Sequence, residues 1–533
     1  LRLTPLKDVY YTHDTTFDFN PKGHRETNYV LLGIAFLILF IAGINFTNLT
    51  TSLIPLRLKT INTHRVLGCS IYKLRAISLI ESIVICLISY ILALFIVNDL
   101  SYTPIANWVD ADIRLSQYKG LILLTALIAI LTGCLAGLYP AIRSSSYAPA
   151  LVLKGSFGLS PKGKKLRVAL IGFQYTVSIA LIIVTLFMGL QNHFMTSSEQ
   201  LGFNKDQVAI VNLTPEIYAK HKPQYIQKLK DYPGIEDVAF SVYELSKEDD
   251  MIDLEYARHE DKDVFFKVFY ASENFLSVMD IQVEEGRDFT REDLNKAQSD
   301  YIINPAAERD FHLHPGDRFN DRTVLGVSKD FRFNSCRIAS SPFVFALNND
   351  IPNPKLVSYI RFNSKTNLQE AVAHVRETLK EIDPTFPFEI SFYNTILNNL
   401  YQKEQTLGKL ISLFGIMAIL ISIVGVFGLV LFETQYRRKE IGIRKINGAT
   451  TGQILLMFNK TYIRIVSVCF IISIPIAWMG TQQWLENFAY KTPLHLWVFI
   501  VAFLIILSVT IGTVTFRNWQ AANENPVNSV KSE

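Results

Sequence analysis

Three stretches of the sequence carry residue types that could bind phosphate or metal. The first, GLSPKGKK (158–165), reads G-x-x-x-x-G-K-K and differs at one position from a phosphate-binding loop. That loop ends in Ser or Thr, whose hydroxyl binds Mg²⁺, and it joins a buried strand to a helix. Here Lys165 replaces the hydroxyl, Pro161 lies inside the loop, and an apolar run follows. We therefore interpret 158–165 as a basic linker.

The other two stretches are acidic. HEDKD (259–263) departs from the H-E-x-x-H zinc pattern because Asp263 occupies the position of the second histidine. KEDDMIDLE (247–255) carries carboxylates that could bind a cation, but a solvated loop has the same composition. The sequence also lacks a G-x-S-x-G motif. It therefore predicts no metal, no cofactor and no catalytic centre in this chain.

A basic pattern that occurs twice is a better candidate for function. Residues 56–70, LRLKTINTHRVLGCS, align without gaps with residues 436–450, YRRKEIGIRKINGAT, and share K-x-I-x-x-[HR]-[RK]-[IV]-x-G-x-[ST]. Each copy follows one apolar run and precedes two more, which indicates a tandem duplication. A juxtamembrane anchor explains one such stretch. Anchoring requires only charge, however, whereas a fixed spacing indicates a shared structure.

The second copy has the properties of a short helix at a membrane surface. Its basic residues can hold a helix end at anionic lipids, each contributing on the order of 1 kcal/mol. Gly448 suits the residue that follows a helix, and Thr450 or Thr451 suits the cap of the next one. We expect a short helix along the membrane and then a turn into the next span. In that helix Ile441 and Ile446 would face lipid or protein, and Glu440, Arg444 and Lys445 would face water.

The apolar residues of the chain collect into membrane-spanning runs. Of its 533 residues, 49% are hydrophobic and 19% are charged. A helix of about 20 residues crosses a hydrocarbon core of about 30 Å. We find seven runs of that length, at about 29–53, 77–98, 120–142, 168–190, 410–432, 465–483 and 495–516. The chain is therefore predicted to be a polytopic α-helical membrane protein in a lipid bilayer.

The distribution of basic residues predicts the orientation. The loops 54–76, 143–167 and 433–460 are rich in Lys and Arg, whereas the alternate loops are not. The positive-inside rule places these three loops and the C-terminal tail in the cytoplasm, and 191–405 outside. Residues 1–28 also fall outside, so we expect an upstream span. The net charge of +4 reflects cytoplasmic loops, and we predict no nucleic-acid partner.

The outside region has the composition of a soluble domain. Strands and helices are mixed along it, with the alternation of half-buried sheets, which predicts an α+β fold. Val238 and Phe240 are expected to face its core. The predicted strands are 208–213, 235–240, 263–270, 323–327, 356–362 and 386–393, and the predicted helices are 222–232 and 366–382.

At this point the sequence resembles a known family. RRKEIGIRKINGAT (437–450) resembles the signature loop of FtsX-like/MacB-like ABC transporter permeases. NFLSVMDIQVEEGRDF (274–289), YIINPAAERDF (301–311) and TVLGVSKDFRF (323–333) resemble that family's periplasmic domain. The duplicated arrangement is similar to the eight-span permeases of Bacteroides-type bacteria.

The resemblance implies a location, partners and a role. It implies the bacterial inner membrane, a periplasmic placement for 191–405, and a separate cytoplasmic ABC ATPase dimer that docks on the basic segments. It also allows a periplasmic or outer-membrane partner. The implied ATPase-coupling residues of the second copy are Arg438, Lys439, Glu440, Ile441, Gly442, Arg444, Lys445 and Gly448. Those of the first copy are Lys59, Ile61, His64, Arg65 and Gly68. Thr60 and Asn62 stand where the second copy has Glu440 and Gly442.

The same resemblance divides the chain into five parts. These are the end of a truncated first periplasmic domain (1–28), a first permease module with three spans (29–155), a linker and span four (156–190), a MacB-like periplasmic domain (191–405) and a second permease module with three spans (406–533).

Two other function classes were weighed against a permease. A secondary transporter would carry paired ionisable groups or broken spans near the midplane. The spans show almost none, and Pro475 is the only such break worth noting. Glu81 is an intramembrane acid and hence a candidate for transport, although a snorkelling or helix N-terminal role fits its depth better. An extracytoplasmic sensor is the alternative we retain, and the tail 517–533 is short for a cytoplasmic output domain.

Overall fold

The chain forms two compact units. The structure, a computed structural model, describes residues 5–9, 11, 25–103, 106, 114–146, 161–197, 201–246, 253–296, 298–347 and 356–523. What we call the helical unit comprises Leu1–Met188, Thr406–Gln483 and Leu494–Glu533. What we call the sheet unit comprises Gly189–Gln405 and Trp484–Pro493.

Long apolar helices dominate the sequence outside the sheet. The helices before the sheet are α1 Leu6–Val9, α2 Arg25–Val66, α3 Ile71–Leu100, α4 Lys119–Ser145 and α5 Pro161–Thr196. Those after it are α11 Gln402–Tyr436, α12 Arg438–Ile446, α13 Thr451–Leu485 and α14 Leu496–Ala522. Within the described residues, seven of these helices are long and apolar enough to cross a membrane, as predicted. Their outer surfaces are apolar: Phe95 is 70% exposed and Leu123 is 75% exposed.

Small residues let α3 and α4 approach closely. A Cβ on Gly133 would lie 2.9 Å from the Cα of Ile83, and one on Gly137 would lie 2.6 Å from the Oγ of Ser82. Neither position can therefore carry a side chain without moving α3. Lipid tails are as apolar as leucine, so such close backbone contact supplies the packing energy that the hydrophobic effect supplies in water.

Side-chain hydrogen bonds join the other helices of the helical unit. In α11 the hydroxyl of Ser422 lies 2.9 Å from that of Ser178 in α5. Further contacts tie α14 to its neighbours: Thr510 Oγ1 donates to Tyr175 Oη (3.0 Å), Thr434 Oγ1 to Asn518 Oδ1 (2.7 Å) and Asn459 Nδ2 to Thr515 Oγ1 (2.9 Å). Each of these hydrogen bonds pairs two polar groups in surroundings that offer little water.

The sheet unit is built on one mixed sheet. Its strands are β1 Val208–Leu213, β2 Ile235–Ser241, β3 Asp253–His259, β4 Lys262–Ala271, β5 Val283–Gly286, β6 Tyr301–Ile303, β7 Arg318–Phe319, β8 Arg322–Ser328, β9 Phe343–Leu347, β10 Leu356–Phe362 and β11 Ile390–Phe392. The strand order is β11-β1-β10-β2-β4-β9-β6-β8-β5, with β3 paired to β4 and β7 to β8. Two pairs, β4 with β9 and β6 with β8, are parallel.

Helices cover this sheet. They are α6 Lys222–Lys230, α7 Phe275–Met279, α8 Pro305–Phe311, α9 Leu368–Ile382 and α10 Tyr393–Leu400. Helix α9 buries Ala371, Val375 and Leu379, which lie four residues apart and therefore on one face. They pack in one cluster with Val238 and Phe240 of β2, which confirms that these two side chains face the core.

The sequence located some elements better than others. Strands β1 and β10 have the predicted bounds, whereas β11 occupies only Ile390–Phe392 of the predicted 386–393. The sequence analysis missed β9, whose five residues are all buried. A short apolar run without alternation cannot be told from a piece of buried helix by periodicity. HEDKD spans the β3–β4 turn, in which Glu260 and Asp261 both have positive φ. Residues 247–252 of KEDDMIDLE lie outside the described residues.

A buried carboxylate stabilises the loop after β5. Asp293 is 2% exposed and accepts two hydrogen bonds from the Arg287 guanidinium, at 2.7 and 2.8 Å. It also accepts from the backbone N–H and the hydroxyl of Thr290, and Lys296 Nζ lies 3.1 Å away. The Arg287 guanidinium, with these other donors, holds the pKa of the Asp293 carboxyl well below its usual range.

We expect Asp293→Asn to destabilise this loop by on the order of 2 kcal/mol, because charge-assisted hydrogen bonds become neutral ones. The carboxylate contributes its full stabilisation only above its unfolded pKa of about 4, and the contribution declines as pH falls below it. Amide hydrogen exchange of residues 287–296 in the full chain should be faster in the variant at neutral pH. The difference should shrink below about pH 4; a constant difference would contradict the assignment.

Candidate functional site

The two repeated basic stretches are the candidate site, and both lie in the helical unit. We call residues 56–70 the first repeat segment and residues 436–450 the second repeat segment. The first runs from the end of α2 to the N-terminus of α3. The second runs from the end of α11 through α12 to the N-terminus of α13.

Both segments end their helix with the same backbone turn. In the second, Gly448 has φ +87°, its N–H donates to Lys445 O (3.0 Å), and Ala449 N–H donates to Arg444 O (2.9 Å). This is the Schellman motif, in which a left-handed residue satisfies the last helical carbonyls. The predicted role of Gly448 after a helix is confirmed.

The first segment repeats this turn. Gly68 has φ +90°, its N–H donates to Arg65 O (3.0 Å), and Cys69 N–H donates to His64 O (2.9 Å). Any side chain is strained at such a φ, which accounts for glycine at this position in both copies.

Both segments also cap the next helix in the same way. Ser70 Oγ accepts from Lys73 N–H at 3.3 Å, and Thr450 Oγ1 accepts from Gln453 N–H at 3.3 Å. Gln453 Oε1 in turn accepts from Thr450 N–H at 3.1 Å, which completes a capping box. Of the two threonines considered from sequence, Thr450 is therefore the cap.

From Asn62 and Gly442 to the end of each segment, burial agrees between the two copies position by position. Asn62 and Gly442 are buried, and Arg65 and Lys445 are half-buried. The exposed pairs are Thr63 with Ile443, His64 with Arg444, Val66 with Ile446 and Gly68 with Gly448. The repeated spacing therefore encodes one three-dimensional structure, used twice.

The structure places the expected site residues in different environments. Ile441 is 3% exposed and packs inside the helical unit, so it anchors the segment, whereas Ile446 is 65% exposed. Ile443, which the sequence analysis did not select, is 54% exposed. It lies three residues before Ile446 and hence on the same side of the helix, a spacing that could have identified it.

The polar residues of the second segment lie around these exposed isoleucines. Arg444 donates to Glu440 Oε1 at 2.9 Å across one helical turn, and Glu440 is half-buried. In the first segment Arg65 donates to Ser145 O at 3.4 Å, Ile61 is half-buried, and His64 is exposed. The side chains of Lys59, Arg438 and Lys439 lie outside the described part of the structure, although their backbones are helical.

The copies differ in how each segment joins its span. Helix α2 is continuous over 42 residues and includes most of the first segment. In the second copy Arg437, with φ −94° and ψ 9°, separates α11 from the nine-residue α12. The short separate helix expected from sequence is therefore present in the second copy, and the first copy has a single long helix in its place.

A pair of equivalent arginines lies where each segment meets its span. Arg57 forms an ion pair with Glu81 of α3, at 2.8 Å. Its equivalent, Arg437, forms an ion pair with Glu433 at 2.9 Å and lies over the Phe458 ring of α13 at 5.8 Å. Glu81, for which the sequence offered a snorkelling or transport role, thus ties the first segment to α3. Sequence spacing could not reveal this pair, since its members lie on different helices.

Comparison with known proteins agrees with the duplicated architecture. A family model described as FtsX-like permease C-terminal matches residues 32–149 and again residues 412–526. The chain therefore contains two regions that match the FtsX-like permease model. Each match contains one repeat segment and the two spans that follow it.

Several known proteins are similar to this chain. It is 25% identical over 212 residues to the macrolide export ATP-binding/permease protein MacB of Aggregatibacter actinomycetemcomitans, covering 37% of this chain and 32% of that protein. It is 25% identical over 223 residues to MacB of Neisseria gonorrhoeae, covering 39% and 34%. The alignments thus span about a third of the length of these relatives.

Two solved structures are similar to part of the chain. One is the periplasmic region of MacB from Actinobacillus actinomycetemcomitans, with 15% identity, 37% of this chain and 94% of that chain covered, and a TM-score of 0.28. The other is the extracellular domain of YknZ from Gram-positive bacteria, with 17% identity, coverages of 34% and 99%, and a TM-score of 0.26. The spans and the basic loops together indicate a multi-pass membrane protein with an extracytoplasmic segment.

We expect a charge swap to test the Arg57–Glu81 pair. Arg57→Glu or Glu81→Arg alone places like charges together and should lower thermal stability in detergent by on the order of 1 kcal/mol. The double variant R57E/E81R restores an ion pair and should recover most of that loss. The thermal stability of each variant in detergent is measured as the midpoint of thermal aggregation, with size-exclusion chromatography as the readout. If the double variant is as unstable as the sum of the singles, the two groups do not interact.

Proposed function

We propose that this chain is the permease subunit of an ABC transporter, whose repeat segments receive the motion of a separate cytoplasmic ATPase dimer. The motion would reach the sheet unit outside and serve export, lipoprotein handling or periplasmic activation. The observation that carries this proposal is the pair of matching turns, each with the same caps and the same exposed positions. Both lie in loops that the positive-inside rule assigns to the cytoplasm.

The second segment has the surface that a docking element requires. Ile443 and Ile446 are exposed apolar side chains next to a basic pair, Arg444 and Lys445. Burying an isoleucine against a partner contributes about 1.5–3 kcal/mol. The charges around it would select a partner surface with acidic groups, since complementary potential sets specificity and association rate.

The caps explain how a push on the segment would reach the spans. The Schellman turn and the hydroxyl cap, which both segments share, satisfy backbone groups at both ends of the turn, so the segment would move as one piece with the helices it joins. Helix α2 has 42 residues and is therefore about 60 Å long. A displacement at its cytoplasmic end moves the whole helix, which suits rigid-body transmission between two states.

The duplication suggests the stoichiometry. One chain carries two repeat segments, so a single permease would occupy both subunits of an ATPase dimer. We place the assembly in the bacterial inner membrane with the sheet unit in the periplasm, where it would act on a periplasmic or outer-membrane partner. The ATPase would be a separate chain, and this chain would carry no nucleotide site.

Reversing charge at the exposed end of the second segment tests ATPase docking. The double variant R444E/K445E should lower recovery of an ABC ATPase at least tenfold, which corresponds to about 1.4 kcal/mol. The measurement is affinity purification from mild detergent, with mass spectrometry and an ATPase assay of the eluate. The same change in the first segment, H64E/R65E, compares the contributions of the two copies.

A matched control separates docking from a general effect of charge. R258E/R309E reverses two arginines of the sheet unit that are 68% and 71% exposed. It should leave ATPase recovery unchanged, and all variants should insert into membranes equally. Unchanged ATPase recovery with R444E/K445E would count against the coupling role and favour an extracytoplasmic sensor.

A further inference from the structure

Asn45 and Gly425 occupy equivalent positions in the two modules and touch each other. They are 380 residues apart, the same offset that aligns residues 56–70 with 436–450. A Cβ on Gly425 would lie 2.9 Å from Asn45 Cγ, so the carboxamide of Asn45 fills the space that a side chain at 425 would need. Helices α2 and α11 therefore touch at a position that the two modules share.

A hydrogen bond between the modules lies at this crossing. Asn45 Nδ2 donates to the backbone carbonyl of Ile421 at 2.6 Å. Ile421 precedes Gly425 by one helical turn, so the missing side chain at 425 leaves this carbonyl accessible from α2. Asn45 is only 7% exposed. In apolar surroundings a buried carboxamide requires such a partner, because a donor without one costs free energy.

The faces that meet here are complementary. On α2 the buried polar residues Asn45, Asn48 and Ser52 recur at one to two turns and form a stripe in an apolar span. On α11 the facing positions include Gly425 and Gly428. A Cβ on Gly428 would lie 2.8 Å from Leu49 Cδ1 and 3.9 Å from Leu49 Cβ. The first module contributes side chains to this contact, and the glycines of the second module leave the space that they occupy.

We propose that the Asn45–Gly425 contact pairs the two modules within a single chain and sets the register of α2 against α11. Two copies of α11 meeting at Gly425 would bring no side-chain donor to the interface. Two copies of α2 would bring two carboxamides into a space that holds one in the intrachain contact. The pairing of α2 with α11 brings one carboxamide donor to a site that has room for it. One chain therefore forms a complete pair of modules without a second copy.

A disulfide trap tests this pairing. Replacing Leu49 and Gly428 by cysteine (L49C/G428C) places two Cβ atoms at the 3.9 Å separation that favours a disulfide. The full chain carries a protease site inserted within 147–160, and two differently tagged copies are co-expressed. After mild oxidation in membranes, cleavage should leave the two fragments joined until reductant is added. No band should contain both tags.

Two controls make the result specific. L49C/V424C places the second cysteine at a residue of α11 that is 57% exposed, and it should cross-link several-fold more slowly. The parent chain, with its five native cysteines, reports background oxidation. Adding Asn45→Leu to the trap should slow cross-linking several-fold, because the register loses its hydrogen bond and the larger apolar group overlaps Gly425.

The outcomes decide the proposal without reference to any ATPase. A cross-linked band with both tags would mean that modules pair between chains, and it would overturn the inference. Cross-linking no faster than in L49C/V424C would overturn it as well. Because neither result depends on nucleotide hydrolysis or on docking, failure here is distinguishable from failure of the proposed coupling role.

Discussion

The scarcity of a hydrophobic driving force between helices in lipid is the constraint on which the helical unit depends. Lipid tails solvate leucine and isoleucine as well as another helix does, so contact must come from close backbone approach and from hydrogen bonds. Gly133, Gly137 and Gly425 allow that approach. Asn45 and the Ser178–Ser422 pair supply the bonds. The exposed leucines and isoleucines of the same helices are the surface that such a unit presents to lipid.

The sheet unit obeys the opposite rule. Its core is a dense set of buried aromatic and aliphatic residues on both faces of one sheet, the arrangement that water favours. The buried carboxylate of Asp293 in this unit is paired with Arg287. One sequence thus uses two packing chemistries, and each matches the solvent expected around its unit.

The repeat segments connect local chemistry to the proposed function. A glycine with positive φ and a hydroxyl cap fix the turn in each copy, and this local code is the same in both. The differences lie beyond the turn. The first segment continues a long helix and is tied to α3 by Arg57 and Glu81, whereas the second begins anew after Arg437. The two copies therefore share the turn and its hydroxyl cap, and they differ in how the segment is attached to the neighbouring spans.

The sequence by itself determined what local rules govern. Apolar run length located the seven spans, basic loops predicted their orientation, and Gly448 with Thr450 predicted the turn of the second segment. It located β1, β10 and the core face of β2 because alternation and β-branched composition are local properties. It failed at β9, whose uninterrupted apolar run has no distinguishing period.

Tertiary structure alone decided which distant residues meet. Glu81 finds Arg57, Asn45 finds Ile421 and Gly425, and Ile441 turns inward while Ile443 turns out. None of these follows from spacing, because a helical period fixes which residues share a face but not which helix that face meets. That choice depends on the packing of all the helices at once.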